Sequence, residues 1–192
     1  AAIRIIFSAG VGDAGTWGRR AADPAVFFKV FNTWISGGPE TFVDVADYRH
    51  VHDGPLTALV GHHEDYWLDA SGNRPGLLYN RRQSMPGTNE EKIRMSLGSI
   101  LKACLRIEQD PEFGGNIRFR TDEILFMIND RGIAPNTKPT FDAVRPELDR
   151  ALSNVLAGNS FTFDHLNDPR RRFAVKISVP SGPPLQNLIG RI

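Results

Sequence analysis

One cysteine in 192 residues, Cys104, leaves this chain without an internal disulfide. That fits a reducing compartment, and a cytoplasmic location is the expectation. An excess of charge of either sign is also missing, since 23 Lys and Arg stand against 22 Asp and Glu, a net of +1. So balanced a chain has no global pull toward nucleic acid or an anionic membrane, and no nucleic-acid partner is expected. No uninterrupted apolar run approaches the roughly 20 residues that cross a bilayer, so no membrane span is expected. Ala1 to Phe7 is apolar but carries no basic leader, and it does not read as a signal peptide. Signatures of known chemistry are lacking too: the chain has no GxSxG elbow, no P-loop lysine and no cysteine in a nucleophile's setting.

What is present is ordinary globular material, 41% hydrophobic and 23% charged, enough for a real core. Ile3 to Phe7 reads as a strand and runs into Gly10-Val11-Gly12-Asp13-Ala14-Gly15, a letter-for-letter GxGxxG. A dinucleotide loop must open directly into a helix. Here Thr16-Trp17-Gly18-Arg19-Arg20 intervenes, so the motif reads as a glycine loop and no cofactor is expected. The first helix starts at Asp23-Pro24, a cap followed by the residue suited to the first helical position. Phe27, Phe28, Phe31, Trp34 and Ile35 recur at helical spacing along it, and Gly37-Gly38 ends it.

Three strands are expected next, over Thr41 to Val51, Leu56 to Leu68 and Gly76 to Arg81, with turns at His52 to Pro55 and Asp69 to Pro75. A second helix spans about Asn89 to Glu108, with Ile93, Leu97, Ile100, Leu101, Cys104 and Leu105 as its apolar stripe; Cys104 is thereby a core thiol. Strand signals return at Asn116 to Arg120 and Glu123 to Asn129. A third helix passes through Val144, Leu148, Leu152 and Val155, with Pro146 marking a late start or a kink. Ser160 to His165 and Phe173 to Val179 form a closing hairpin. Helices separated by hairpins predict an α+β fold, a mainly antiparallel sheet with three helices. The order allows a ferredoxin-like core with a βαββ extension. Residues 1–179 read as a single domain. Residues 180–192 read as a Pro-rich linker and a short apolar tail, Leu185, Leu188, Ile189 and Ile192, which folds back on the domain or docks on a partner or another copy.

Four of the five histidines, His50, His52, His62 and His63, fall between Asp44 and Arg82 among many carboxylates. His50-x-His52 and His62-x-Glu64 each place two ligands on one strand face, and zinc needs three or four around one point. A tight turn at His52 to Pro55 makes paired residue numbers sum to about 107, which sets Asp44 opposite His63 and divides the histidines between faces. A metal site is therefore not expected. Asp44 and His63 remain as a candidate acid/base pair, with Tyr48 and Asp65 beside them as candidate binding residues. Across the next turn a sum near 145 puts Glu64 against Arg81 and Tyr66 against Tyr79, cross-strand contacts that add Tyr66 and Arg81 as binding candidates. Arg170-Arg171-Arg172 and the pair Arg118 and Arg120 read as solvated surface.

The run Val43-Asp44-Val45-Ala46-Asp47-Tyr48, then Gly61-His62 and Asp65-Tyr66, then Gly76-Leu77-Leu78-Tyr79-Asn80-Arg81 resembles a family of small uncharacterised bacterial proteins. The resemblance continues through Arg118 to Glu123, Ile128 to Arg131 and Ala134 to Thr137. It implies no activity, substrate or cofactor. The leading expectation is a non-catalytic binding or accessory protein that self-assembles or docks on a protein partner through its C-terminal tail. The alternatives are a small hydrolase or acid/base enzyme using Asp44 and His63, and, more weakly, a metal-binding protein.

Overall fold

The computed structural model describes residues 23–37, 42–51, 54–70 and 75–192, together with the backbone of residues 3–10. The loop from Val11 to Gly18, His52 and Asp53 lie outside the described residues, so the GxGxxG reading does too. Among the described residues the order is β1 (Ile3–Gly10), α1 (Pro24–Gly37), β2 (Phe42–Asp47), β3 (Pro55–Gly61), β4 (Glu64–Asp69), β5 (Gly76–Arg81), α2 (Asn89–Gln109), β6 (Arg118–Ile128), α3 (Lys138–Val155), β7 (Thr162–His165), β8 (Phe173–Ser178) and α4 (Leu185–Ile189). The protein is α+β, as its pattern of helices between hairpins predicts.

The strands form one sheet in the order β2-β3-β4-β5-β1-β6-β8-β7, and every neighbouring pair is antiparallel. β1 lies between β5 and β6, joining the four-stranded meander β2 to β5 to the three strands β6, β8 and β7. Because both neighbours oppose β1, β5 and β6 run parallel to each other and need a crossover, which α2 supplies.

Cross-strand registry assigns the two faces. Leu59, Tyr66 and Tyr79 are successive partners across β3, β4 and β5, and Phe126, Val175 and His165 continue that row through β6, β8 and β7. This face meets the helices: Leu59, Tyr66, Tyr79, Phe126 and Val175 belong to the core formed with Phe31 and Trp34 of α1, Leu97 and Leu101 of α2, and Leu148 and Leu152 of α3. Alternation sends Trp67, Leu78, Leu125 and Lys176 to the other face in a second row. The helices gather on one side because each has one apolar stripe to bury.

Local chemistry explains the helix ends. Thr88 and Glu91 form a reciprocal capping box at α2, the side-chain oxygen of Thr88 accepting from Glu91 N at 3.3 Å and Glu91 Oε2 accepting from Thr88 N at 2.7 Å. α3 begins at Lys138 with proline in its first turn, well before Pro146. Pro146 lies inside the helix at an exposed position, so it neither delays the start nor ends the helix. One expected strand is redrawn: Leu56 to Leu68 is divided into β3 and β4 by a turn at His62-His63. Of the two readings open for Glu123 to Asn129, continuing the strand before it or pairing with it, the structure has the first: both pieces form β6, whose pairing with β1 shifts register between Phe7 and Ala9.

Residues after Ser178 fold back on their own domain. Val179 N donates to Asp122 O at 2.7 Å, Thr121 Oγ1 donates to Pro183 O at 2.6 Å, and Arg191 Nη1 donates to Ala157 O at 2.7 Å. Gly182 makes the turn with φ 48°, a left-handed conformation suited to glycine. Leu185 and Leu188 are then buried, Leu188 fully, and α4 packs on α2. The tail thus has a physical obstacle to docking elsewhere, because its leucines are already spent at home. No described helix is long and apolar enough to cross a membrane. Replacing Leu188→Ala empties a closed site and is expected to cost about 2–4 kcal/mol. Urea unfolding checks this as a lower midpoint at unchanged slope.

Candidate functional site

Asp44 and His63 are not partners. Asp44 stands opposite Val60, and Val45 opposite Leu59, three residues away from the expected registry. The cause is the connection between β2 and β3, which is longer than a tight turn. Tyr48 N donates to Leu56 O at 2.9 Å and Val51 N to Tyr48 O at 2.8 Å, so the turn begins at Tyr48, well before His52. An odd shift also exchanges faces. The carboxylate of Asp44 instead accepts from Val45 N at 2.8 Å. His63 sits in the turn between β3 and β4, its Nδ1 2.6 Å from Gln83 Oε1 and its carbonyl accepting from Arg82 N at 3.0 Å. Both side chains are exposed. Tyr48 stacks near His50, with ring centroids 6.2 Å apart, and lies 5.4 Å from the Trp67 ring.

The registry across β4 and β5 is the expected one: Glu64 faces Arg81 and Tyr66 faces Tyr79. Glu64 gathers three donors on the helix side of the sheet. Tyr66 Oη donates at 3.1 Å, Tyr79 Oη at 2.8 Å and Arg81 Nη1 at 2.8 Å. Burial, and next the charge of Glu64, raise the Tyr66 and Tyr79 phenols well above their ordinary range. Neither phenol is an acid or base near neutral pH, and three donors occupy most of the carboxylate's acceptor sites. The cluster is a structural strut, its carboxylate committed to two phenols and a guanidinium.

Asp65 points to the opposite face and is buried there. It accepts from Gly61 N and Asn80 Nδ2, both at 3.3 Å, and pairs with Arg82 Nε at 3.3 Å. Tyr66 and Arg81 therefore meet at Glu64, whereas Asp65 serves a separate network and Asp44, Tyr48 and His63 are scattered. Among the described residues no group of three or more metal-ligating side chains comes together.

The face on which none of the described helices packs, called here the helix-free face, carries a feature that the sequence reading passed over. A groove of about 890 Å³ runs over Leu78, Leu125, Met127 and Ala174, walled by Leu166. Its rim holds Arg131, Arg170, Arg171 and Arg172, with Asp69 and Asp168 among them. Leu166, 41% exposed, is one of the few large apolar side chains left in solvent. The loop between β7 and β8 that carries three of these arginines is held from below by a buried asparagine. Asn136 Nδ2 donates to Leu166 O at 2.8 Å and to Asp168 O at 3.0 Å. Both of its protons are used, so its Oδ1, 2.8 Å from His165 Nε2, accepts and the imidazole donates. The ring of His165 stacks on Phe141 at 5.0 Å and leans on Phe173 at 5.4 Å. Arg131 Nη1 donates to Arg170 O at 3.1 Å, tying the two loops of the rim together. Only Asn136 gave a local hint, as a polar residue flanked by turn-forming Pro135 and Thr137.

Desolvation, followed by the charge of Lys138, lowers the His165 pKa, while Asp142 and Asp164 oppose the shift. Its stabilising contribution is thus complete above the unfolded value of about 6.5 and is lost as pH falls from there toward the lower folded value. In thermal melts the advantage of the natural chain over His165→Gln should shrink between pH 7 and pH 5; a pH-independent difference would refute this. Glu64→Ala is expected to cost about 3 kcal/mol by stranding a guanidinium and two phenols. Asp44→Ala and His63→Ala should each stay within about 0.5 kcal/mol of the natural chain, as exposed side chains do; chemical denaturation checks all three.

In comparisons with known proteins, no family model matches this chain, and no curated protein does.

Proposed function

We propose that this chain is a non-catalytic binding protein whose working surface is the helix-free face of its sheet, and that the face takes a segment of a partner protein. The observation that carries the reading is the groove over Leu78, Leu125, Met127 and Ala174. Apolar floor of this kind is where a protein gains affinity by removing surface from water. The supporting chemistry is negative at the alternative site: Asp44 and His63 make no pair, and Glu64 is committed to three donors. The single thiol, Cys104, is fully buried and pushed far above its ordinary pKa by burial. It offers no nucleophile, and an unpaired cysteine is at home in the cytoplasm, where we place the protein.

A peptide-display selection against the whole chain tests this reading. Clones enriched on the natural protein should bind Met127→Glu at least about tenfold more weakly, and should bind Phe28→Ser, on the outer side of α1, unchanged. Met127 is only partly buried, so the glutamate is compatible with folding, which a thermal melt verifies. Failure to enrich any clone, or equal binding to Met127→Glu, overturns the proposal. A natural chain that is dimeric by light scattering and becomes monomeric in Met127→Glu would assign the face to a second copy instead, and would also overturn it.

A further inference from the structure

Resting on that reading, we infer that the segment taken by the helix-free face is acidic, with carboxylates that meet Arg131 and Arg172 while aliphatic side chains lie on Leu78, Leu125 and Met127. The rim presents four guanidinium groups and two carboxylates. Asp168 is already engaged, pairing with Arg170 at 3.1 Å and Arg171 at 3.7 Å. Among the described residues Arg131 and Arg172 have no carboxylate partner. Arg131 does spend one proton on the Arg170 carbonyl, which aims its guanidinium and leaves its charge unneutralised. A forked guanidinium held in this way matches a carboxylate, and its charge discriminates between partners.

The rim is also built in advance. Besides the Asn136 ties, Arg170 N donates to Asp168 Oδ1 at 3.0 Å, Arg171 N to Asp168 O at 2.9 Å, and Asp168 N to Leu166 O at 2.9 Å. A loop ordered before binding loses less entropy on association. The floor decides what kind of anion is accepted. Its described residues are Leu, Met and Ala, with no aromatic ring on which a nucleobase would stack. A peptide alternating acidic and aliphatic residues suits both floor and rim.

Fluorescence anisotropy on the whole chain tests the inference with labelled peptides of about 12 residues, enough for an extended strand to cross the sheet. One alternates leucine with glutamate, a second leucine with serine, a third leucine with lysine, and an oligothymidylate of similar length stands for nucleic acid. The glutamate peptide should bind about tenfold more tightly than the serine peptide, an advantage that contracts as salt is raised. The double variant Arg131→Gln, Arg172→Gln should remove most of that advantage, so that the glutamate and serine peptides bind it about equally. If glutamate and serine peptides bind equally and both are weakened by Met127→Glu, the acidic preference is wrong and the docking face stands. If no peptide binds, both readings fall. Tighter binding of the lysine peptide or of oligothymidylate overturns the acidic-segment inference.

Discussion

Pairing of β1 on both of its edges is the constraint on which the rest of the molecule depends. Its backbone meets β5 on one side and β6 on the other, and without it the sheet is a four-stranded meander and a separate group of three. Placing β1 there makes β5 and β6 parallel neighbours once removed, which forces α2 across one face. α3 and α4 then pack on α2, and α1 packs on β2 and β3 at the same side. One strand's position thus commits all described helices to a single face, and leaves the other face without a described helix.

That division sorts the polar groups by fate. On the helix face a carboxylate is tolerable only if it is paired and hydrogen-bonded, because an unpaired buried charge is among the costliest defects a fold can carry. Glu64 meets that condition with two phenols and a guanidinium. The donors that make it stable also fix it in place. On the helix-free face the demand is weaker, since arginines at a rim are hydrated and need no full complement of partners. Charge remains available there for a ligand.

The parts of the fold that were legible in the sequence are those set by short-range rules. The aromatic stripe of α1, the apolar stripe of α2 and the Glu64–Arg81 and Tyr66–Tyr79 pairs all follow from spacing within about twenty residues. The β2–β3 registry failed because the chain already turns at Tyr48 to Val51, where Val51 N donates to Tyr48 O, which no turn dipeptide announces. His62-His63 was hidden as a turn because histidine is not a turn-former. The groove was illegible for a different reason. Its floor draws on β5, β6 and β8 and its rim on two loops that adjoin only after β6 and β8 have paired. The arginine triplet read alone is a solvated turn; beside Leu125, Met127 and Ala174 it bounds a cleft.

Magnitudes divide the work within that cleft. An exposed ion pair contributes about 0–1 kcal/mol, and less in salt, so Arg131 and Arg172 cannot hold a partner by themselves. Apolar burial gives about 25 cal/mol per Å², so the aliphatic floor carries affinity and the rim chooses among partners with similar aliphatic faces. Asn136 matters to both. Its amide spans Leu166 and Asp168, so one buried side chain sets the wall of the floor and the carbonyl arc from which the arginines project. Loss of Asn136 would leave every contacting residue in place and still weaken recognition, because the loop would have to be ordered anew by each partner it met.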